Sequence, residues 1–150
     1  MRVYFDTSAL VAAYVPEPNT RLAVARLAAA EAVYVSWLTR VEFCSALSLK
    51  TRTGELGKED AQRVLAVFDR HLEAKAYEVL PLSHEAYCLA ASWLATLETS
   101  LKALDALHLA CCRLFDLSLV TADDGLAKAS RHFGVPQEHL AEEIRVAPKA

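Results

Sequence analysis

Short apolar segments alternate with longer segments of helical periodicity along most of this chain. The pattern predicts strands at Arg2–Phe5, Ala32–Ser36, Tyr77–Leu80 and Leu117–Val120, with a short fifth strand at Ile144–Val146. It predicts helices at Ser8–Tyr14, Thr20–Ala30, Leu38–Arg52, Lys58–Lys75, His84–Leu97, Ala103–Phe115 and Gly125–Phe133. Strands separated by helices in this way are typical of an α/β fold with a mainly parallel sheet.

The length and composition are those of one folded domain, and residues 1–150 are predicted to form it. Hydrophobic residues make up 54% of the sequence and charged residues 23%, which favours a chain with a substantial core. No apolar run approaches the roughly 20 residues that span a bilayer, and no signal-peptide pattern is visible at the N-terminus. We therefore expect no membrane association and a cytoplasmic location.

The net charge is −3, and the sequence has neither a basic tail nor a run of lysines. This argues against avid, nonspecific binding to nucleic-acid duplexes, which depends on neutralising many phosphates. A nucleic-acid substrate held locally by metal ions and a few arginines remains compatible with this charge.

All four cysteines lie in apolar helical segments: Cys44, Cys88, Cys111 and Cys112. In a cytoplasmic chain they are expected to be buried, reduced thiols. A zinc site is the alternative, because His84 and Cys88 are four residues apart. The absence of a Cys-x-x-Cys pair from the sequence disfavours that alternative.

Four acidic residues interrupt or directly follow apolar segments: Asp6, Glu42, Asp105 and Asp123. A carboxylate in a core is costly unless something pairs with it. Asp6 and Asp123 follow predicted strands, so both should lie at the carboxyl edge of the sheet, where ligands bind in such folds. Asp105 falls in the first turn of its helix, and Glu42 lies about one turn into the helix after the second strand. Their convergence predicts a site for Mg²⁺ or Mn²⁺, which prefer carboxylate and water ligands.

Structural explanations exist for most of these residues. Asp6, and either Asp123 or Asp124, could cap the helices that follow them, and Asp105 could simply complement a helix dipole. Glu42 has no local capping role. The hydroxyls of Thr7, Ser8 and Thr121 flank the acids and are expected either to bind metal-bound water or phosphate, or to cap helices.

His108 lies three residues after Asp105 and is close enough in sequence to reach the same site. We expect His108 instead to be a core histidine that is hydrogen-bonded to the backbone.

The ordered set of motifs resembles the PIN-domain ribonucleases, in particular toxins of VapBC toxin–antitoxin pairs. The matching segments are Tyr-Phe-Asp-Thr-Ser-Ala-Leu, Thr-Arg-Val-Glu-Phe-Cys-Ser-Ala-Leu, Leu-Asp-Ala-Leu-His-Leu-Ala and Leu-Val-Thr-Ala-Asp. The family's four acids correspond to Asp6, Glu42, Asp105 and Asp123. Asp123 is chosen over Asp124 because it completes the Thr-x-Asp pattern.

The resemblance implies a three-layer α/β/α domain with a central, mainly parallel sheet of four to five strands. It also implies a homodimer, an antitoxin partner that blocks the acidic groove, and Mg²⁺- or Mn²⁺-dependent endoribonuclease activity. One or two ions held by the four acids would activate water for attack on an RNA phosphodiester. Arg40 and Lys102 lie near the motifs and are candidates for phosphate contacts, although solvated surface charge is the simpler role for both.

Three alternatives to a metal-dependent ribonuclease make specific demands on the sequence. A two-component receiver domain requires an acidic pair after the first strand and an aspartate after the third, whereas a single Asp6 and Pro-Leu-Ser-His occupy those places. A phosphatase of the haloacid dehalogenase type requires Asp-x-Asp, and Asp6-Thr7-Ser8 supplies one acid. A PIN fold used only as a binding module remains open, and retention of all four acids argues against it.

Overall fold

A computed structural model describes residues 1–141. Within that range the strands are β1 (Arg2–Phe5), β2 (Ala32–Ser36), β3 (Glu78–Leu80), β4 (Ser118–Thr121) and β5 (Gln137–His139). The helices are α1 (Thr7–Tyr14), α2 (Thr20–Ala29), α3 (Trp37–Arg52), α4 (Lys58–Glu73), α5 (His84–Leu94), α6 (Ala103–Leu114) and α7 (Asp124–His132). The strand predicted at Ile144–Val146 lies outside the described residues.

The five strands form one parallel sheet in the order β3-β2-β1-β4-β5. Val3 in the central strand pairs with Val33 of β2 on one side and Ser118 of β4 on the other. The chain moves outward from β1 in one direction through β2 and β3, and in the other through β4 and β5. The topological switch point, where open parallel sheets bind ligands, therefore lies between β1 and β4.

Helices cover both faces of this sheet. Val3 and Phe5 point into a core built with α1, α3 and α4, which includes Leu10, Phe43 and Phe68. Tyr4 points to the opposite face, where the core contains residues of α6 and α7, including Leu109, Cys112 and Leu126. The predicted three-layer α/β/α architecture is confirmed.

Strand β5 was not predicted, because Gln137–His139 is polar throughout and has no apolar alternation. It is an edge strand that pairs with β4, so it needs no apolar residues on both faces. Two helices end two or three residues earlier than predicted, α4 at Glu73 and α5 at Leu94. Lys75 (φ 56°) and Leu97 (φ 58°) adopt left-handed backbone conformations just after these ends, and without glycine the sequence does not signal such a turn.

Candidate metal-binding site at the carboxyl edge of the sheet

Asp6 lies at the end of the central strand and caps α1. Its backbone N–H donates to the carbonyl of Val120 in β4 (3.1 Å), and its Oδ1 accepts from the N–H of Ala9 (3.0 Å). Ser8 donates to Oδ1 (2.8 Å), and Thr121 donates to Oδ2 (2.8 Å). The side chain is buried, and burial raises its pKa even though His108 and these hydrogen bonds act to lower it.

Asp123 lies two residues after β4 and caps α7. Its Oδ1 accepts from the N–H of Leu126 (2.7 Å), and its own N–H donates to Thr121 Oγ1 (3.0 Å). Thr121 therefore joins Asp123 to Asp6 through a single hydroxyl. Asp124 is exposed and interacts instead with Nε2 of His139 at 2.9 Å. Both Asp6 and Asp123 are helix N-caps, as the capping alternative predicted. Capping leaves further carboxylate lone pairs free for another ligand.

Glu42 reaches the same edge from the second turn of α3. Its Oε1 accepts from Thr7 Oγ1 (2.8 Å) and also contacts Nε2 of His108. Partial burial acts to raise the pKa of Glu42, but the interactions with His108 and Thr7 outweigh it and the pKa is lowered. Glu42 is therefore ionised at neutral pH.

Asp105 lies in the first turn of α6 and links all four acids electrostatically. Its pKa is raised to about 6, first by burial and then by the carboxylate of Asp123, with smaller contributions from Asp6 and Glu42. His108 partly offsets this rise. The described part of the chain donates no hydrogen bond to the Asp105 carboxylate, so its charge is the least compensated of the four.

The three flanking hydroxyls orient the acids. Thr7 donates to Glu42, while Ser8 and Thr121 donate to Asp6, and the N–H of Ala122 donates to Ser8 Oγ at 2.9 Å. None of these three residues is the N-cap of a helix in residues 1–141, so the capping role considered for them is wrong.

The acids are neighbours but do not form a closed ligand cage. Within residues 1–141, no three carboxylate, imidazole or thiol side chains come together closely enough to ligate one metal ion directly. The chemistry of the group nevertheless suits a hard divalent cation, because its donors are carboxylate oxygens and the negative charge of Asp105 is only partly offset by His108. Mg²⁺ commonly keeps several waters and takes only one or two protein carboxylates directly, so a cage is not required.

His108 is buried and takes part in the site, and the expectation that it bonds to the backbone is wrong. Its Nε2 contacts Glu42 and its Nδ1 lies 2.6 Å from the hydroxyl of Tyr4, which lies 2.9 Å from Ser36 Oγ. Tyr4 and Ser36 were not among the residues predicted to belong to the site. The available signal was a tyrosine on the buried strand that ends at Asp6, because a buried phenol normally requires a polar partner.

The sequence model of the PIN-domain family matches residues 3–132. The chain belongs to the PIN-domain family. PIN domains are generally nucleases and usually use divalent metal ions. The receiver-domain alternative is therefore wrong. No curated protein matches the chain in sequence.

Solved structures agree with this PIN fold. FitAcB from Neisseria gonorrhoeae is 24% identical, with 91% of this chain and 96% of that chain covered and a TM-score of 0.65. VapC20 from Mycobacterium tuberculosis, described as a toxin that cleaves the sarcin-ricin loop, is 18% identical over 85% and 94%, with a TM-score of 0.67. VapBC2 from Rickettsia felis, bound to a DNA fragment from its promoter, is 18% identical over 94% and 100%, with a TM-score of 0.68.

A groove of about 610 Å³ runs from the acidic edge of the PIN domain along α3. Thr7, Ser8 and Glu42 line one end of it, and Lys50 and Arg52 line another part. Lys50 is already paired with Glu17 (2.9 Å) and Glu55 (3.2 Å). Arg52 is exposed and forms no ion pair with another residue in 1–141.

The two basic residues proposed from sequence lie elsewhere. Arg40 pairs with Asp69 through two contacts of 2.6 and 3.0 Å, so its guanidinium is already engaged. Lys102 is the exposed N-cap residue of α6. These surroundings give neither residue a distinctive place beside the acids.

Two remaining predictions concern the cysteines and the membrane. Cys111 and Cys112 are buried, whereas Cys88 is exposed on α5, so the prediction that all four are buried is wrong. Cys88 and His84 approach each other (3.4 Å), and no third metal-ligating side chain of residues 1–141 joins them. None of the helices described is long and apolar enough to cross a bilayer.

Proposed function

We propose that this PIN domain is a Mg²⁺- or Mn²⁺-dependent endoribonuclease that hydrolyses RNA phosphodiester bonds, as the toxin of a VapBC-type toxin–antitoxin pair. The observation that carries the proposal is the shared negative field at the sheet edge. Burial and the carboxylates of Asp123, Asp6 and Glu42 together raise the pKa of Asp105 to about 6. Charge of this kind is relieved by a divalent cation.

Asp6, Glu42, Asp105 and Asp123 are the proposed catalytic carboxylates and metal ligands. A divalent ion bound to them would activate a water molecule and offset the charge that develops on the phosphodiester oxygens. Thr7, Ser8 and Thr121 would support the site by fixing the orientation of Glu42 and Asp6 before the ion binds.

The groove beside Glu42 is the proposed path of the RNA strand. It is continuous with the acids, and its walls include apolar side chains such as Val11, Leu49 and Leu104, on which an unstacked base could lie. The description of VapC20 as a loop-cleaving toxin supports a structured RNA as the substrate class.

Within this groove, Arg52 is the proposed phosphate contact, because its guanidinium is exposed and has no ionic partner in the described residues. We expect Arg52→Glu to raise KM for RNA about three- to tenfold with little change in kcat, since a phosphate contact positions the substrate and does not take part in bond cleavage. Arg131→Glu is the matched control, because Arg131 is exposed on α7 and does not line the groove. Equal KM values for the two variants would contradict the assignment.

The proposed partners are an antitoxin and a second copy of the chain. The chain has a net charge of −3, so DNA binding of the kind described for the VapBC2 complex would be supplied by the antitoxin. Trp37 and Val41 lie one turn apart on α3, are 61% and 67% exposed, and form the proposed homodimer contact. A monomeric mass in light scattering at micromolar concentration would rule out the homodimer.

The metal dependence is tested directly with the purified chain and a labelled, structured RNA. We expect cleavage with Mn²⁺ or Mg²⁺, none with EDTA, and recovery when excess Mn²⁺ is restored. Asp6→Asn should remain inactive under all three conditions. Cleavage by the Asp6→Asn protein in EDTA at the wild-type rate would eliminate a metal-dependent nuclease, and Mn²⁺ binding without cleavage of any RNA would favour the binding module.

A further inference from the structure

His108 connects the acidic edge to the buried face of the sheet. It lies one turn after Asp105 on α6, and 1% of its surface is exposed. Nε2 contacts Glu42 Oε1, while Nδ1 lies 2.6 Å from the Tyr4 hydroxyl. That hydroxyl in turn lies 2.9 Å from Ser36 Oγ, so α6, β1 and the end of β2 all contribute to one chain of contacts that ends at Glu42.

The direction of the contact with Glu42 follows from its chemistry. A carboxylate accepts hydrogen bonds and has none to donate, so Nε2 of His108 must carry the hydrogen between them. This holds whether the Tyr4 hydroxyl donates to His108 or to Ser36. The Tyr4 contact holds the ring from its other nitrogen, so the imidazole cannot rotate without losing a buried hydrogen bond.

The same contacts give the two carboxylate oxygens of Glu42 different surroundings. Oε1 accepts from both Thr7 and His108, and Oε2 receives no hydrogen bond from residues 1–141. We propose that His108 is a positioning residue, which fixes Glu42 so that Oε2 is presented to a divalent cation, and that Tyr4 and Ser36 fix His108 in turn. This inference rests on the proposed metal site and adds residues to it that do not contact the ion.

A matched pair of amide substitutions separates positioning from packing. In His108→Gln the amide nitrogen lies close to the position of Nε2, so it can still donate to Glu42 but loses Tyr4. In His108→Asn the amide lies close to the position of Nδ1, so it can still bond to Tyr4 but cannot reach Glu42. Both variants introduce a neutral amide side chain at the same buried position of α6.

Calorimetric titration of the full chain with Mn²⁺ measures the effect without any assay of cleavage. We expect His108→Asn to weaken Mn²⁺ binding about tenfold and His108→Gln to remain within about threefold of wild type, since partners of metal ligands typically contribute 10- to 100-fold to affinity. Equal affinities in the two variants, whether both reduced or both unchanged, would overturn the proposal. Circular dichroism checks that both are folded.

Tyr4→Phe keeps the proposal testable if either amide variant does not fold, because it deletes one oxygen and leaves His108 intact. We expect it to weaken Mn²⁺ binding several-fold, and wild-type affinity in this variant would overturn the connection through Tyr4. Asp105→Asn distinguishes failure of the proposed metal site from failure of the role proposed for His108. If wild type binds no Mn²⁺, or if Asp105→Asn binds it as wild type does, the proposed metal site fails irrespective of His108.

Discussion

Replacing Asp105 with asparagine is expected to lower the rate of Mn²⁺-dependent RNA cleavage at least about 100-fold, the scale seen when one preorganised electrostatic group is removed from an active site. Asp105 is the acid with the least internal compensation, because no hydrogen bond from the described residues reaches its carboxylate. The substitution removes one negative charge and one candidate oxygen ligand while preserving the size of the side chain. Single-turnover cleavage at saturating enzyme measures the loss without the complication of product release.

Asp124→Asn provides the control for that experiment. Asp124 is a neighbour of Asp123 in sequence, but it is 82% exposed and interacts with His139. It should retain cleavage close to the wild-type rate. If Asp124→Asn is as inactive as Asp105→Asn, the choice of Asp123 over Asp124 as the fourth acid is wrong, and normal activity in Asp105→Asn would remove that residue from the site.

Asp105→Asn should also stabilise the metal-free protein at neutral and alkaline pH. The folded-state pKa of Asp105 is about 6, against about 3.9 for an unfolded aspartate, so the folded state holds its proton more tightly. Asp105 therefore destabilises the fold above about pH 6, and this cost disappears as the pH falls below about 4. Because Asp105 is only partly buried, solvent screening reduces the effect to about 1 kcal/mol, or a few degrees in Tm.

Thermal unfolding in EDTA across pH 4–8 measures this difference. We expect Asp105→Asn to melt about 3 °C above wild type at pH 8 and at the same temperature near pH 4. Asp124→Asn should show no comparable gain. Saturating Mn²⁺ should reverse the order at pH 8, because ligand binding stabilises wild type by about 2.7 kcal/mol at 100 times Kd. A melting temperature for Asp105→Asn below that of wild type at pH 8 without metal would show that the acids do not repel one another.

The positions of the acids were predictable because they follow from topology. Asp6 follows β1 directly and Asp123 lies two residues after β4, and all parallel strands present their carboxyl ends at one edge. The β1 and β2 strands are buried and apolar enough for their boundaries to be read from the sequence. The polar edge strand β5 has no such pattern. It forms because β4 has a hydrogen-bonding edge that is not paired with β1.

The connections between the acids were not predictable, because they depend on how helices rotate against one another. His108 meets Glu42 only because α6 and α3 pack with those faces together, and neither local periodicity nor spacing determines that rotation. Tyr4 reads as an ordinary core residue in Val-Tyr-Phe. Its hydroxyl acquires a partner only when α6 covers that face of the sheet.

The contacts that assemble the site join residues that are far apart in the chain. Asp6 and Thr121 are 115 positions apart, and Tyr4 and His108 are 104 apart. Such contacts contribute stability only after the long intervening loop has closed, and closing it costs conformational entropy. A chain still emerging from the ribosome lacks Thr121 and Asp123 until the 120 residues before them have been synthesised. If the mature protein cuts RNA, a nascent chain therefore cannot do so before Thr121 and Asp123 have been added and the site has assembled.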